Sequence, residues 1–184
     1  KKSISEPGVG NYITMAKATA AARAMLGESM LRNGGLVQAH GTGTPQNRTS
    51  ESRILSETAK AFGISAWPVA ALKCYLGHSL GSASGDQITA TLGIWAEGVI
   101  PGITTINALA DDVCRDNLSF ALQHQAIDPS AQGYAIINSK GFGGNNASAT
   151  LLSPTATAKM LRARHGSRAW QDWEQRNEAV LAKQ

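Results

Sequence analysis

The sequence of 184 residues predicts a layered α/β domain built on a buried sheet. Two observations carry that prediction. Stretches rich in Ala, Met and Leu alternate with short apolar runs, in the order helix, strand, helix, strand, helix, then mostly strand. Strands that run into glycine-rich loops also present polar side chains there, and the strand ends of an α/β sheet are where reacting groups gather.

The elements follow in order. Ile13 to Asn33 reads as one long helix, stopped by Gly34-Gly35. "LVQAH" is a short buried strand that delivers His40 into the loop "GTGTPQN". Helix returns from Thr49 to Phe62, with Ile54, Leu55 and Ala59 on a shared apolar face. "WPVAALK" is a second buried strand ending on Lys73. Beyond "KCYLGHSLGSASG", Asp86 to Glu97 is helical and ends near Gly98. "ITTIN" and "LSFAL" are candidate strands, and "YAIINS" and "ASATLLS" form a pair joined by the tight glycine turn "GFGGNN". From Thr155 a polar amphipathic helix runs to the end. No internal repeat or low-complexity linker divides the chain.

The totals bound the class. This length suits one domain with a proper core. Only 16% of residues are charged, which points to surface covered by another subunit or by a missing part of the same protein. Cys74 and Cys114 make no metal or disulfide pattern, so a reducing, cytoplasmic compartment is expected, with no metal. No apolar run reaches the roughly 18–20 residues of a membrane helix, and no membrane span is expected. The first residues, "KKSISEPGVGNY", lack a signal-peptide core and a Met, and read as a cut end. Much of the net charge of +4 lies in Lys159 to Arg168, a solvated basic face or a patch for an acidic protein. With aromatics at 5% and no zinc or helix-turn-helix pattern, nucleic acid is not an expected partner.

"GHSLG" matches a G-x-S-x-G nucleophile elbow on Ser79, with Asp111 or Asp116 and His124 or His165 as further triad members. Against that hydrolase stand the Lys in the approaching strand, the short chain before "LVQAH", and the charged tail around His165. "GFGGNN" fails as a dinucleotide fingerprint, because Asn146 takes the last position and a strand follows.

Three loops taken together, "VQAHGTGTP", "KCYLGHSLGSASG" and "NSKGFGGNNAS", resemble in order and spacing the C-terminal half of a beta-ketoacyl-acyl carrier protein synthase. The resemblance covers roughly Ile13 to Ser153 and implies a thiolase-like layered fold, with residues 1–153 as the ketosynthase domain and 154–184 as a helical extension. It implies decarboxylative Claisen condensation of a malonyl thioester with an acyl primer, assisted by two histidines that match His40 and His78, and a lysine that matches Lys73. Thr42 and Thr44 match threonines that bind the pantetheine arm. Phe142 matches an aromatic gate, Gly141, Gly143 and Gly144 let its loop move, and Glu51 matches a structural acidic residue. No cofactor is expected on the protein itself; substrates ride on the phosphopantetheine of acyl carrier protein or on coenzyme A. The implied partners are acyl carrier protein, the N-terminal half of the same synthase and, for the full-length protein, a second copy.

The family's acylated cysteine opens a long buried helix in its N-terminal half. Neither Cys74 nor Cys114 fits that setting, so both read as structural thiols and the isolated chain is expected to be inactive. A non-catalytic partner subunit is the alternative, which intact His40, Lys73 and His78 oppose. Departures are Asn47-Arg48 for the usual Gly-Asp, Gln87 for Glu, "GSAS" for "GAAG" and Lys140 for Phe. Arg48 and Gln87, in place of an acidic pair, alter the charge around Lys73, and the departures point to a divergent branch with an unusual primer, such as a short acyl-CoA.

Overall fold

The computed structural model describes residues 8–183. Its five-stranded mixed sheet has the order β4-β2-β1-β6-β7, with β1 Gly35–Gln38, β2 Trp67–Ala70, β4 Leu118–Ser119, β6 Tyr134–Gly141 and β7 Asn145–Leu152. All neighbours run parallel except β6 and β7, which form a hairpin. Side chains alternate across a strand, so burial on both faces demands the unbroken apolar runs seen in β1 and β6. Val37 and Ile136 join α1 (Val9–Asn33) and α2 (Pro45–Ala61) on one side, in a core centred on Trp67, Leu55 and Met15. Leu36 and Ala135 face the other way, onto Ile94 and Trp95 of α4 (Ala83–Glu97). Helices therefore cover both faces, as the sequence order predicts.

Close approach explains the glycine pair at the end of α1. Gly35 lies opposite Tyr134 in the β1–β6 register, and a Cβ there would fall on the Tyr134 ring. That fully buried ring reaches across to donate its hydroxyl to Leu31 O at 2.7 Å, tying α1 to β6. Tyr134→Phe strands a buried carbonyl and is expected to cost about 1–2 kcal/mol in denaturant unfolding. A midpoint identical to wild type would show that the tie carries nothing.

Five segments differ from the sequence expectation. α1 is interrupted at Gly27, whose φ of 81° is non-helical. β2 stops at Ala70, and Lys73 opens a one-turn helix, α3 (Lys73–Leu76), rather than ending a strand. "ITTIN" forms no strand, and Tyr75 instead donates its hydroxyl to Gly102 O, the residue just before that segment. "LSFAL" is strand only at Leu118–Ser119, as β4, while β3 (Val99–Ile100) and β5 (Gln125–Ala126) form a small two-stranded sheet outside both expected strands. The tail is two helices, α5 (Pro154–His165) and α6 (Ser167–Leu181), broken at Gly166 with φ 81°. Arg162 joins them, stacked over Trp170 at 5.3 Å and paired with Glu174 at 3.6 Å. No helix among the described residues is long and apolar enough to cross a membrane.

Candidate functional site

The three glycine loops meet at one end of the sheet around an open cleft of about 1290 Å³. His40, Thr42, Lys73, His78 and Phe142 all line it. His40 leaves β1 directly: Ala39 N still donates to Ala70 O at 2.9 Å, and Gly41 then turns with φ 59°. That left-handed angle is what the "HGTG" glycines supply.

Glu51 fixes this turn. Only 4% exposed, its carboxylate accepts from His40 N at 2.7 Å and Gly41 N at 2.9 Å. The same carboxylate accepts from Asn47 Nδ2 at 2.8 Å and Asn138 Nδ2 at 2.7 Å. Four donors on one carboxylate make a rigid joint between α2, β1 and β6.

The two imidazoles stand edge to face, ring centroids 5.1 Å apart and planes at 83°. His40 is 5% exposed, and its Nδ1 accepts from Lys140 N at 3.3 Å. His78 is exposed, and its Nδ1 accepts from Leu80 N at 3.1 Å. Leu80 takes φ 57° to aim that N–H, a left-handed conformation uncommon for a bulky residue and found where function holds it. A neutral imidazole accepting at Nδ1 carries its hydrogen on Nε2, so both rings are set to donate from the same type of atom.

Burial, offset by Glu51 and reinforced by the charges of Lys73, His78 and Lys140, lowers the His40 pKa from 6.5 to about 4. The folded state thus binds fewer protons than the unfolded chain between those values, so stability falls as pH drops from 6.5 toward 4. That loss is the ring's own share of the pH dependence of stability. Subtracting the pH profile of a His40→Gln variant isolates it, and a flat difference across that window would contradict it.

Lys73 has a buried Nζ with no hydrogen-bond partner among the described residues. Burial lowers its pKa, against the attraction of Glu51 and Asp86. Cys74 also lines the cleft, but burial pushes its thiol up, away from the thiolate an acyl nucleophile needs. Cys114 lies elsewhere, its N–H held by Ser52 Oγ at 3.0 Å. Thr42 and Thr44 stand side by side, hydroxyls 3.4 Å apart. Phe142, 84% exposed, caps the β6–β7 turn that Gly143 and Gly144 make with φ 77° and 87°.

The elbow reading of Ser79 finds no triad here. Its hydroxyl donates to Asp86, while His124 accepts from Gly102 N at 3.2 Å and His165 ends α5 in solvent. Arg48 also departs from expectation: it leaves Lys73 alone and forms a two-pronged pair with Asp112 at 2.7 and 2.9 Å. Gln87 is structural, its Nε2 bonded to Gln38 O, Ala39 O and Asn138 O at 3.2, 2.8 and 3.3 Å, which clamps the ends of β1 and β6. A carboxylate would face three carbonyl oxygens there. The sequence marked Asn47, Gln87 and Lys140 only as departures; nothing in it showed that they join one network, and nothing marked Asn138 or Leu80.

Residues 9–107 match the family model described as beta-ketoacyl synthase, C-terminal domain. Over 182 residues the chain is 49% identical to the beta-ketoacyl-[acyl-carrier-protein] synthase FabY of Pseudomonas aeruginosa, covering 99% of this chain and 28% of that protein. A 3-oxoacyl-[acyl-carrier-protein] synthase 2 of Vibrio cholerae is 32% identical over 147 residues, covering 79% of this chain and 33% of that protein. The crystal structure of the ketosynthase FabY from P. aeruginosa superposes with a TM-score of 0.91 at 49% identity, over 97% of this chain and 28% of that one. The chain belongs to the beta-ketoacyl synthase family, corresponds to its C-terminal domain and has the thiolase-like layered fold. It spans under a third of the length of FabY. The tail, expected outside the resemblance, is shared with FabY, since that match takes in almost every residue.

Proposed function

We propose that this chain supplies the decarboxylating part of a beta-ketoacyl synthase site, whose acylated cysteine lies outside these 184 residues. The observation that carries the reading is the His40–His78 pair, rings 5.1 Å apart with both Nδ1 atoms occupied by backbone N–H groups. Breaking the bond from the malonyl carbon to its carboxylate releases CO₂ and leaves the electron pair as an enolate. The thioester oxygen then carries the new charge, and two Nε2–H donors from either side stabilise it. The carbanion attacks the acyl-cysteine carbonyl, forms the new carbon–carbon bond and expels the thiolate.

Lys73 is a tuner rather than a base: a cation beside the rings opposes imidazolium formation. Thr42 and Thr44 hydrogen-bond the amides of a phosphopantetheine arm, brought by acyl carrier protein or coenzyme A. Phe142 gates the cysteine side of the cleft, moving on Gly141, Gly143 and Gly144. The N-terminal half of the synthase covers the open face, and the full-length protein is a homodimer. The test is carbon dioxide release from a malonyl thioester by the synthase that carries this chain. Absence of release, with primer thioester present or absent, would sink the reading.

A further inference from the structure

Lys140 has no part in the chemistry above, yet it is only 4% exposed at the end of β6, beside the catalytic cleft. Its Nζ donates to Asn47 Oδ1 at 2.8 Å and Ser50 Oγ at 3.3 Å. Asn47 passes the contact on, its Nδ2 donating to Glu51 at 2.8 Å. A buried ammonium is tolerated only when hydrogen-bonded and compensated in charge. Burial lowers the pKa of both Lys140 and Lys73; Glu51, the one buried carboxylate among the described residues, opposes that for both, joined at Lys73 by Asp86. Of the charges that act on His40, one carboxylate stands against two lysines, which leaves the surroundings of the ring with surplus positive charge. The charged and titratable groups facing His40 are Glu51 from α2, Lys73 and His78 from α3 and its following loop, and Lys140 from β6.

We propose that Lys140 is a positioning residue of this site. Its backbone N–H selects the His40 tautomer, and its ammonium, set through Asn47 against Glu51, makes the surroundings of the ring positive so that the ring stays an uncharged donor. The inference rests on His40 acting as such a donor, as read above. It also separates the two contributions cleanly. A side-chain substitution removes the charge and leaves the backbone N–H where it is.

The experiment follows the His40 ring by NMR in the synthase that carries this chain, with labelled histidine and with His40→Gln to assign the signal. Lys140→Gln and Lys140→Met remove a nearby cation, so His40 is expected to titrate higher by about half a unit or more. The acid limb of the decarboxylation profile moves the same way, and Lys140→Arg stays with wild type. Asn47→Asp neutralises the same ammonium from the other side and also raises the titration, should the neutral lysine variants not fold. A His40 titration unmoved in the variants that fold, or moved as far by Lys140→Arg as by Lys140→Gln, overturns the proposal. A wild-type protein that fails to decarboxylate refutes the functional reading, while the NMR titration still decides on Lys140.

Discussion

Under the proposed function, His40→Ala and His78→Ala are each expected to lower malonyl-thioester decarboxylation by about 10²–10³-fold, with most of the loss in kcat. The reason is where the charge appears. The ground-state thioester oxygen is a weak acceptor, and the enolate oxygen a strong one, so a fixed N–H is worth most after CO₂ departs. Each ring is fixed differently. His40 is buried and held by Lys140 N, whereas His78 is exposed and depends on Leu80 N and its contact with the His40 ring. The double variant should lose less than the product of the two single effects, because the donors share one oxygen. His40→Gln keeps an uncharged N–H near the same place and recovers part of the rate. Carbon dioxide release at the wild-type rate by His78→Ala would remove that ring from the chemistry.

The parts legible in the sequence are those that local pattern dictates. β1, β6 and β7 announce themselves through unbroken or alternating apolar residues between glycines, and Gly98 marks the end of α4 with φ 69°. The reading of "WPVAALK" as strand to its end failed because an apolar run does not show where its partner stops. β2 has ladder partners only through Ala70, and the chain then winds into α3. "ITTIN" has strand-forming residues but no strand beside it, and strand preference is largely a matter of neighbours. Gly27 and Gly166 break helices that composition alone would continue.

For the site, spacing brought His40, Lys73 and His78 to one cleft on paper as in the fold. The network beneath them was not legible. Asn11, Asn47, Asn138 and Lys140 come from α1, α2 and β6, and each alone reads as an ordinary polar residue; only their burial together makes them a unit. Even so, two of the positions flagged as departures, Asn47 and Lys140, turn out to bond to each other. A buried ammonium at position 140 needs acceptors within reach, and Asn47 Oδ1 and Ser50 Oγ supply them.

Glu51→Ala is expected to cost at least about 4 kcal/mol or to leave no folded protein. Four donors lose their acceptor at once: His40 N, Gly41 N, Asn47 Nδ2 and Asn138 Nδ2. The buried ammonium of Lys140 also loses its only buried counter-charge among the described residues. Glu51→Gln is milder, since an amide oxygen keeps part of the acceptor role, but its NH₂ meets donors it cannot serve. Hydrogen exchange at the His40 and Gly41 amides should therefore quicken in Glu51→Gln even where the global unfolding midpoint moves little. A Glu51→Ala protein within about 1 kcal/mol of wild type would show that water repairs the joint. The sharper measurement is the cycle with Lys140. Removing both charges in Glu51→Gln with Lys140→Met should cost less than the two single changes summed, because neither charge is then left buried without the other. Strict additivity would mean that the carboxylate and the ammonium do not sense each other across Asn47.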